Sequence, residues 1–226
     1  WSTVLGDDAH ISTADLMMYR EQAQRIVRVS NDDKSKVPTG EPDNPVGTNV
    51  RPLGAALVLK AMRLLLMDHS WHRASITPTV TLRTDLAHAF ETNKWRNGQV
   101  VVSVKDSVLE GSSAFRNAAE LATTILAAAA KPIIIDKRTD GGPEQNTTFG
   151  SVQLADVALW KKTGADLLIH QRPAADTSYV NEVEGCMPLL NLGLQHQATA
   201  RLKMDATFED LLSNEGSMSA IREKIA

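Results

Sequence analysis

Acidic residues at three widely separated places are the candidates for shared chemistry: the pair Asp32-Asp33 closing RIVRVSNDD, Asp140 inside TDGGPEQN, and Glu184 inside NEVEGCMPLLN. Three carboxylates folded together repel by several kcal/mol at separations of ~4 Å and an effective dielectric of ~20, so such a cluster persists where it holds cations. Hard oxygen donors select Mg2+ or Mn2+. Two such ions about 3.5 to 4 Å apart can activate a water or a 3′-hydroxyl and stabilise the leaving oxygen during in-line attack on a phosphodiester. The expected chemistry is phosphoryl transfer.

Each signal also has an ordinary explanation. Asp-Gly is a common turn dipeptide, and acid pairs at strand ends commonly sit in solvated turns. Either Asp32 or Asp33 can be the ligand, with Asp32 favoured because it comes first after the strand. Glu184 borders the stripe Val183, Met187, Leu190 and Leu194 that predicts a buried helix face, and a salt bridge to Arg172 or Arg201 would also account for it. Asp106, in VKDSV, is a rival acid that reads as a cap on the following Ser-rich turn. Asp68, His69 and His72 have ligand-like spacing without a clear fourth ligand. His170 ends a strand near the presumed site and reads as a loop histidine. Trp71, Trp95 and Trp160 read as packing residues, because aromatic content is 4% and no basic-aromatic interleaving occurs.

The elements that must position these acids are legible in outline. Ser12 or Thr13 starts a helix over 12–24, and the β-branched run 26–29 predicts a strand. The stretch 36–52 holds four of the nine prolines, which predicts a long irregular excursion, followed by a helix over 53–67. Strands are expected over 75–82 and 98–108, then a helix capped by Ser112 or Ser113. The apolar run IIID predicts a strand over 133–136 buried on both faces. A helix over 148–164, a strand over 165–171 and a helix over 178–200 complete the order. Three meander strands followed by a helix crossing to a parallel strand describe an α/β fold with a mixed sheet and helices on its faces. This matches the ribonuclease H-like order with a long insertion after the first strand. In that layout the first strand's end, the fourth strand's end and the last helix converge, which are the places of Asp32, Asp140 and Glu184.

Composition bounds the alternatives. The 226 residues carry 24 Lys plus Arg against 27 Asp plus Glu, a net charge of −3, and 42% hydrophobic residues. That is ordinary globular composition, without the basic excess common in nucleic-acid binders. The one cysteine, Cys186, excludes an internal disulfide framework and points to a reducing compartment. The apolar window 53–67 carries Lys60 and Arg63 and falls short of the ~20 residues of a membrane span. The chain opens on Trp1 and closes on a charged helical run, which reads as a fragment.

TDGGPEQN and NEVEGCMPLLN resemble the signatures of DDE transposases and retroviral-type integrases. Together with VSNDDKSKVPTGEP and VVVSVKDSVLEGSSAFR they are also similar to transposon-derived reading frames of eukaryotic genomes, over about residues 26–196. The resemblance implies a catalytic triad of Asp32, Asp140 and Glu184, with Asp32 or Asp33, Asp140 and Glu184 as ligands of two Mg2+ or Mn2+ ions. It implies DNA as partner, strand cleavage and strand transfer as activity, a homo-oligomer, no membrane, and a nuclear location if the source is eukaryotic. A nuclease of the same fold, or a scaffold that has lost activity, are the alternatives. Lys34, Lys36, Arg51, Lys137, Arg138 and Arg172 are candidates to grip DNA phosphates. Gly185 stands where integrase-like helices often carry Arg, and Glu182 where the related frames tend to have Pro. The expected organisation is an N-terminal helical flank over 1–25, a catalytic core over 26–200 with an insertion at about 36–74, and a C-terminal helical flank over 201–226.

Overall fold

The β-branched run Ile26–Asp33 forms β1, which lies inside a six-stranded sheet. A computed structural model of the chain describes residues 21, 24–50, 74–107, 110–127, 131–172, 181–214 and 218–225. The expected helices over 12–24 and 53–67 lie outside the described residues. On one side β1 pairs antiparallel with β4 (Ala74–Thr84), and β4 pairs antiparallel with β5 (Gly98–Asp106). On the other side β1 pairs parallel with β6 (Ile134–Thr139), which pairs parallel with β7 (Leu167–Gln171). The order β5-β4-β1-β6-β7, three antiparallel strands followed by two parallel ones, is the ribonuclease H-like arrangement.

After Asp33 the chain bulges and resumes along β4 as β2 (Val37–Thr39), opposite Ala74–Ile76. The bulge accommodates Pro78, which lacks an N–H and offers its carbonyl to Lys34 N at 2.8 Å. The Pro-rich stretch is more regular than its sequence predicts. β3 (Val46–Gly47) pairs with β8 (Ala198–Thr199), and Thr199 Oγ1 donates to Pro38 O at 2.7 Å, so backbone pairing holds what turn residues alone would leave irregular.

Helix α1 (Leu86–Thr92) joins β4 to β5, and sequence patterning missed it because it is short. Its signal was Asp85, whose side chain caps the helix by accepting from His88 N at 3.1 Å. Helices α2 (Ala114–Leu126) and α3 (Gly150–Thr163) cover one face of the sheet. Ser113 caps α2, accepting from Arg116 N at 3.2 Å, as expected. Leu121, Ile125, Val152 and Leu159 of these helices bury Val27, Val29 and Ile135. At ~25 cal/mol per Å2 of apolar area, such side chains contribute about 1.5 to 3 kcal/mol each when fully buried.

The last predicted helix is divided. A 3-10 turn (Glu182–Gly185) precedes α4 (Met187–Leu194), with Gly185 ending the turn and Pro188 at the start of the helix. Val183 is buried against Val80 and Leu82 on the opposite face of the sheet, with Met187 and Leu190 packed alongside, as the apolar stripe predicted. Strand β6 also runs past the predicted IIID through Lys137, Arg138 and Thr139, and its residues alternate between buried and half-buried. Two short helices, α5 (Ala206–Asn214) and α6 (Met218–Ile225), follow.

Candidate active site

Side chains of β1 alternate between the two faces of the sheet. Val27 and Val29 enter the core under α2 and α3, while Arg28 and Ser30 bond Glu182 on the other face. Asp32 belongs to the second set, and Asp33 to the first. Thr139 pairs with Asn31 in parallel register, so Asp140, the first residue past the end of β6, follows on the side of Asp32, whose carboxyl feels its charge. Asp140 Oδ1 accepts from Gly142 N at 2.9 Å, a turn that Gly141 permits with φ of 89°.

Asp32 is only 9% exposed, and its carboxyl is pushed up from 3.8 to about 7. Burial is the largest cause, followed by the charges of Asp140 and Glu184. Asp140 and Glu184 are therefore each within electrostatic reach of Asp32. Among the described residues no lysine or arginine is ion-paired with any of the three, and no three acidic, His or Cys side chains are close enough to hold a metal ion. The two observations are compatible, because Coulombic repulsion acts over longer distances than coordination.

The alternative partners of Glu184 are engaged elsewhere. Arg201 Nε donates to Glu41 at 2.9 Å and its Nη1 to Glu209 at 2.6 Å, while Arg172 Nη1 faces Asn146 Oδ1 at 3.4 Å. The 3-10 turn that carries Glu184 is fixed by its neighbour Glu182, which accepts from Arg28, from Ser30 Oγ at 2.8 Å and from Arg138 Nη1 at 3.4 Å. Burial alone would raise the Glu182 carboxyl; hydrogen bonds from its own backbone and Ser30, with the charges of Arg28 and Arg138, outweigh it and hold the group below the usual range. Sequence reading treated Glu182 only as a departure from pattern, although Arg28 amid a core strand signalled a buried partner. Glu182→Gln should cost about 2 kcal/mol at pH 7, because Arg28 and Arg138 then share Asp136 as their one remaining counter-charge among the described residues. A depressed carboxyl stabilises the fold above its ordinary value of 4.5 and loses that contribution as pH falls further. Thermal melts of the wild type and variant should therefore approach each other as pH falls below 4.5 through the depressed value.

No family model matches the sequence, and no curated protein matches it. Three solved structures similar to the chain are complexes of the Mos1 transposase. The Mos1 strand transfer complex aligns with TM-score 0.39 and 11% identity, over 99% of this chain and 63% of that one. The Mos1 transposase paired-end complex with left transposon end gives 0.39 and 11%, over 98% and 61%. The Mos1 mariner paired-end complex with Mn gives 0.36 and 12%, over 98% and 62%. The chain thus spans less than two thirds of the length of these neighbours.

Several predicted site residues are engaged by partners other than the three acids. Asp33, a candidate metal ligand, turns to the α2 face, where Thr79 Oγ1 donates to it at 2.5 Å, Lys105 Nζ at 3.1 Å, and Ser112 Oγ donates as well. Strand alternation forces this separation from Asp32. Lys137, a candidate DNA contact, is buried beneath α3 with Nζ 2.7 Å from Asp156 Oδ1, because a charge inside the core must be paired. Arg138 is partly buried against Glu182, and Lys34 Nζ donates to Asn191 Oδ1, with burial lowering its pKa. Lys36 and Arg172 are exposed; Arg51, Asp68, His69 and His72 lie outside the described residues.

The rival Asp106 sits exposed at the end of β5, beyond β4 from β1. His170 is no loop histidine. Its Nδ1 lies 2.6 Å from Asp156 Oδ2 and its Nε2 lies 2.9 Å from Thr139 Oγ1, which braces the strand end before Asp140. Burial would raise Asp156; the hydrogen bond from His170 and the charge and hydrogen bond of Lys137 outweigh it and hold the group low.

Proposed function

We propose that the chain carries the catalytic core, over 26–200, of a DNA transposase or integrase-type polynucleotidyl transferase. The observation that supports it is the buried Asp32, with Asp140 following on its side by strand register, raised by the charges of Asp140 and Glu184. Asp32, Asp140 and Glu184 would hold two Mg2+ or Mn2+ ions, a donor set of hard oxygens suited to both. When bound, such ions activate a water or 3′-hydroxyl and stabilise the leaving oxygen in phosphodiester transfer. The chain's own residues orient the ligands: Gly142 N–H fixes Asp140, and Glu182 with Arg28 and Ser30 fixes the turn bearing Glu184. Exposed Lys36 and Arg172, with Lys34, would neutralise DNA phosphates. A homo-oligomer, and a nuclear location in a eukaryote, belong to the same reading.

The test is calorimetric titration with Mn2+ at pH 8, followed by incubation with pre-cleaved DNA ends. Uptake by the wild type that is lost in Asp140→Asn and Glu184→Gln, with joined DNA products, is the expected result. Fragments without joining would make the protein a nuclease of the same fold. No heat and no products from the wild type would leave a scaffold.

A further inference from the structure

The loop Asn93–Asn97, between α1 and β5, walls a surface cleft of about 1130 Å3 over the Arg28 face of β1 and β6. Lys94, Trp95 and Arg96 line it from the loop, Arg28 and Arg138 from the sheet. The Arg28 guanidinium lies 4.4 Å from the Trp95 ring centroid, so cleft wall and cation–π stack are one feature. Trp95 is therefore not a core packing residue, as its sequence context implied.

The charges divide into two groups. Arg28 and Arg138 are balanced by Glu182 and Asp136 together, whereas Lys94 and Arg96 are exposed and ion-paired to no described residue. The loop is held in place. Asn93 closes α1 at φ 56°, Trp95 Nε1 donates to Asn93 Oδ1 at 3.0 Å, Thr84 Oγ1 donates to Trp95 O at 3.2 Å, and Asp85 N donates to Asn97 O at 2.9 Å. The cleft also approaches the acids. A Cβ built on Gly185, next to Glu184, would lie 3.0 Å from Arg96 Cδ, so Arg96 occupies the space that glycine leaves open. Along β1, Arg28 and Asp32 are four residues apart on one face, about 13 Å at ~3.3 Å per residue. That distance equals about four stacked nucleotides of one strand at ~3.4 Å each.

From these features we infer that the cleft binds an unstacked nucleotide of single-stranded DNA, its base against the Trp95–Arg28 wall and its flanking phosphates on Lys94 and Arg96. A flat π-surface backed by a guanidinium accepts any base face, and exposed cations beside it track the backbone. The inference rests on the transferase reading for its location a few nucleotides from the reacting phosphate, but the binding itself requires no metal.

The experiment measures fluorescence anisotropy of a labelled oligothymidylate with the full chain in EDTA, at several salt concentrations, beside a duplex of equal length. Trp95→Ala should raise Kd for the single strand about tenfold, while Trp95→Phe, which keeps a stacking face, should stay within about threefold. Lys94→Ala and Arg96→Ala should each flatten the log Kd against log salt slope by about 0.7. Thermal melts show whether Trp95→Ala is folded, and the two surface variants carry the test if it is not. Wild-type affinity in folded Trp95→Ala, equal losses in the Phe and Ala variants, or unchanged salt slopes would overturn the cleft. Should such a variant still process DNA with Mn2+, the transferase reading survives; should the Trp95 effect hold without Mn2+-dependent products, the cleft survives and the transferase reading falls.

Discussion

Asp32→Asn is expected to abolish Mn2+ uptake and DNA processing while raising the melting temperature of the metal-free protein at pH 8. The first effect follows from removing a charged group that the proposed function makes a metal ligand. The second follows from linkage. The folded-state carboxyl lies at about 7 against 3.8 ordinarily, so between these values the native state binds more protons than the unfolded chain. Stability therefore falls as pH rises from about 4 to 7, and the full penalty of an ionised Asp32 is present above that window. With a discount for its partial solvation, the penalty is on the order of 2 kcal/mol. At about 2 to 4 °C per kcal/mol for a chain of this size, Asp32→Asn should melt some 4 to 8 °C higher at pH 8. Near pH 4 the two proteins should melt together. Mn2+ competes with the same proton, so its affinity for the wild type should weaken toward tenfold per pH unit below about 7. Equal destabilisation of the variant at both pH values would mean that Asp32 is not repelled by its neighbours, and would remove the electrostatic basis of the site.

The outline of the fold was legible because strand and helix periods survive in the residues that pack. Val27 and Val29, Ile135, and the Leu121–Ile125 face of α2 all lie where their spacing put them. The choice between Asp32 and Asp33 was not legible. Both faces of β1 are covered, one by helices and one by the 3-10 turn, so alternation separates the two acids without telling which side faces Asp140. Register was equally hidden: the pairing of Asn31 with Thr139, which puts Asp140 on the side of Asp32, is a property of two strands far apart in sequence. In β5 the pattern misleads outright. Val100, Val102 and Val104 alternate as a core face would, yet they are 46%, 44% and 55% exposed, while Lys105 between the two classes of neighbour is 0% exposed. Alternation shows that a strand has two faces, and only the partners decide which one turns inward. Here the partners of Lys105 are polar residues contributed by β1, β4 and α2.

Those partners make Lys105 the position where a single change should cost the fold most. Its Nζ donates to Asp33 Oδ1 at 3.1 Å, to Thr79 Oγ1 and to Asn117 Oδ1, and lies 3.6 Å from Glu120 Oε2. Removing the cation leaves Asp33 partly buried without a counter-charge, while Glu120 keeps Arg116 Nε at 2.7 Å, and breaking such a pair costs about 3 to 5 kcal/mol. Lys105→Met, which keeps much of the side-chain volume, should lose that amount in urea unfolding. In a double-mutant cycle, adding Asp33→Asn should recover at least about 1 kcal/mol, because the stranded carboxylate is gone. Strict additivity would mean that Lys105 acts through packing alone. The cycle also separates the two neighbouring acids by role: Asp33→Asn should keep the Mn2+ heat that Asp32→Asn loses, since Asp33 faces α2 and the lysine. Loss of that heat in Asp33→Asn, with the fold intact, would make Asp33 a ligand of the proposed metal site.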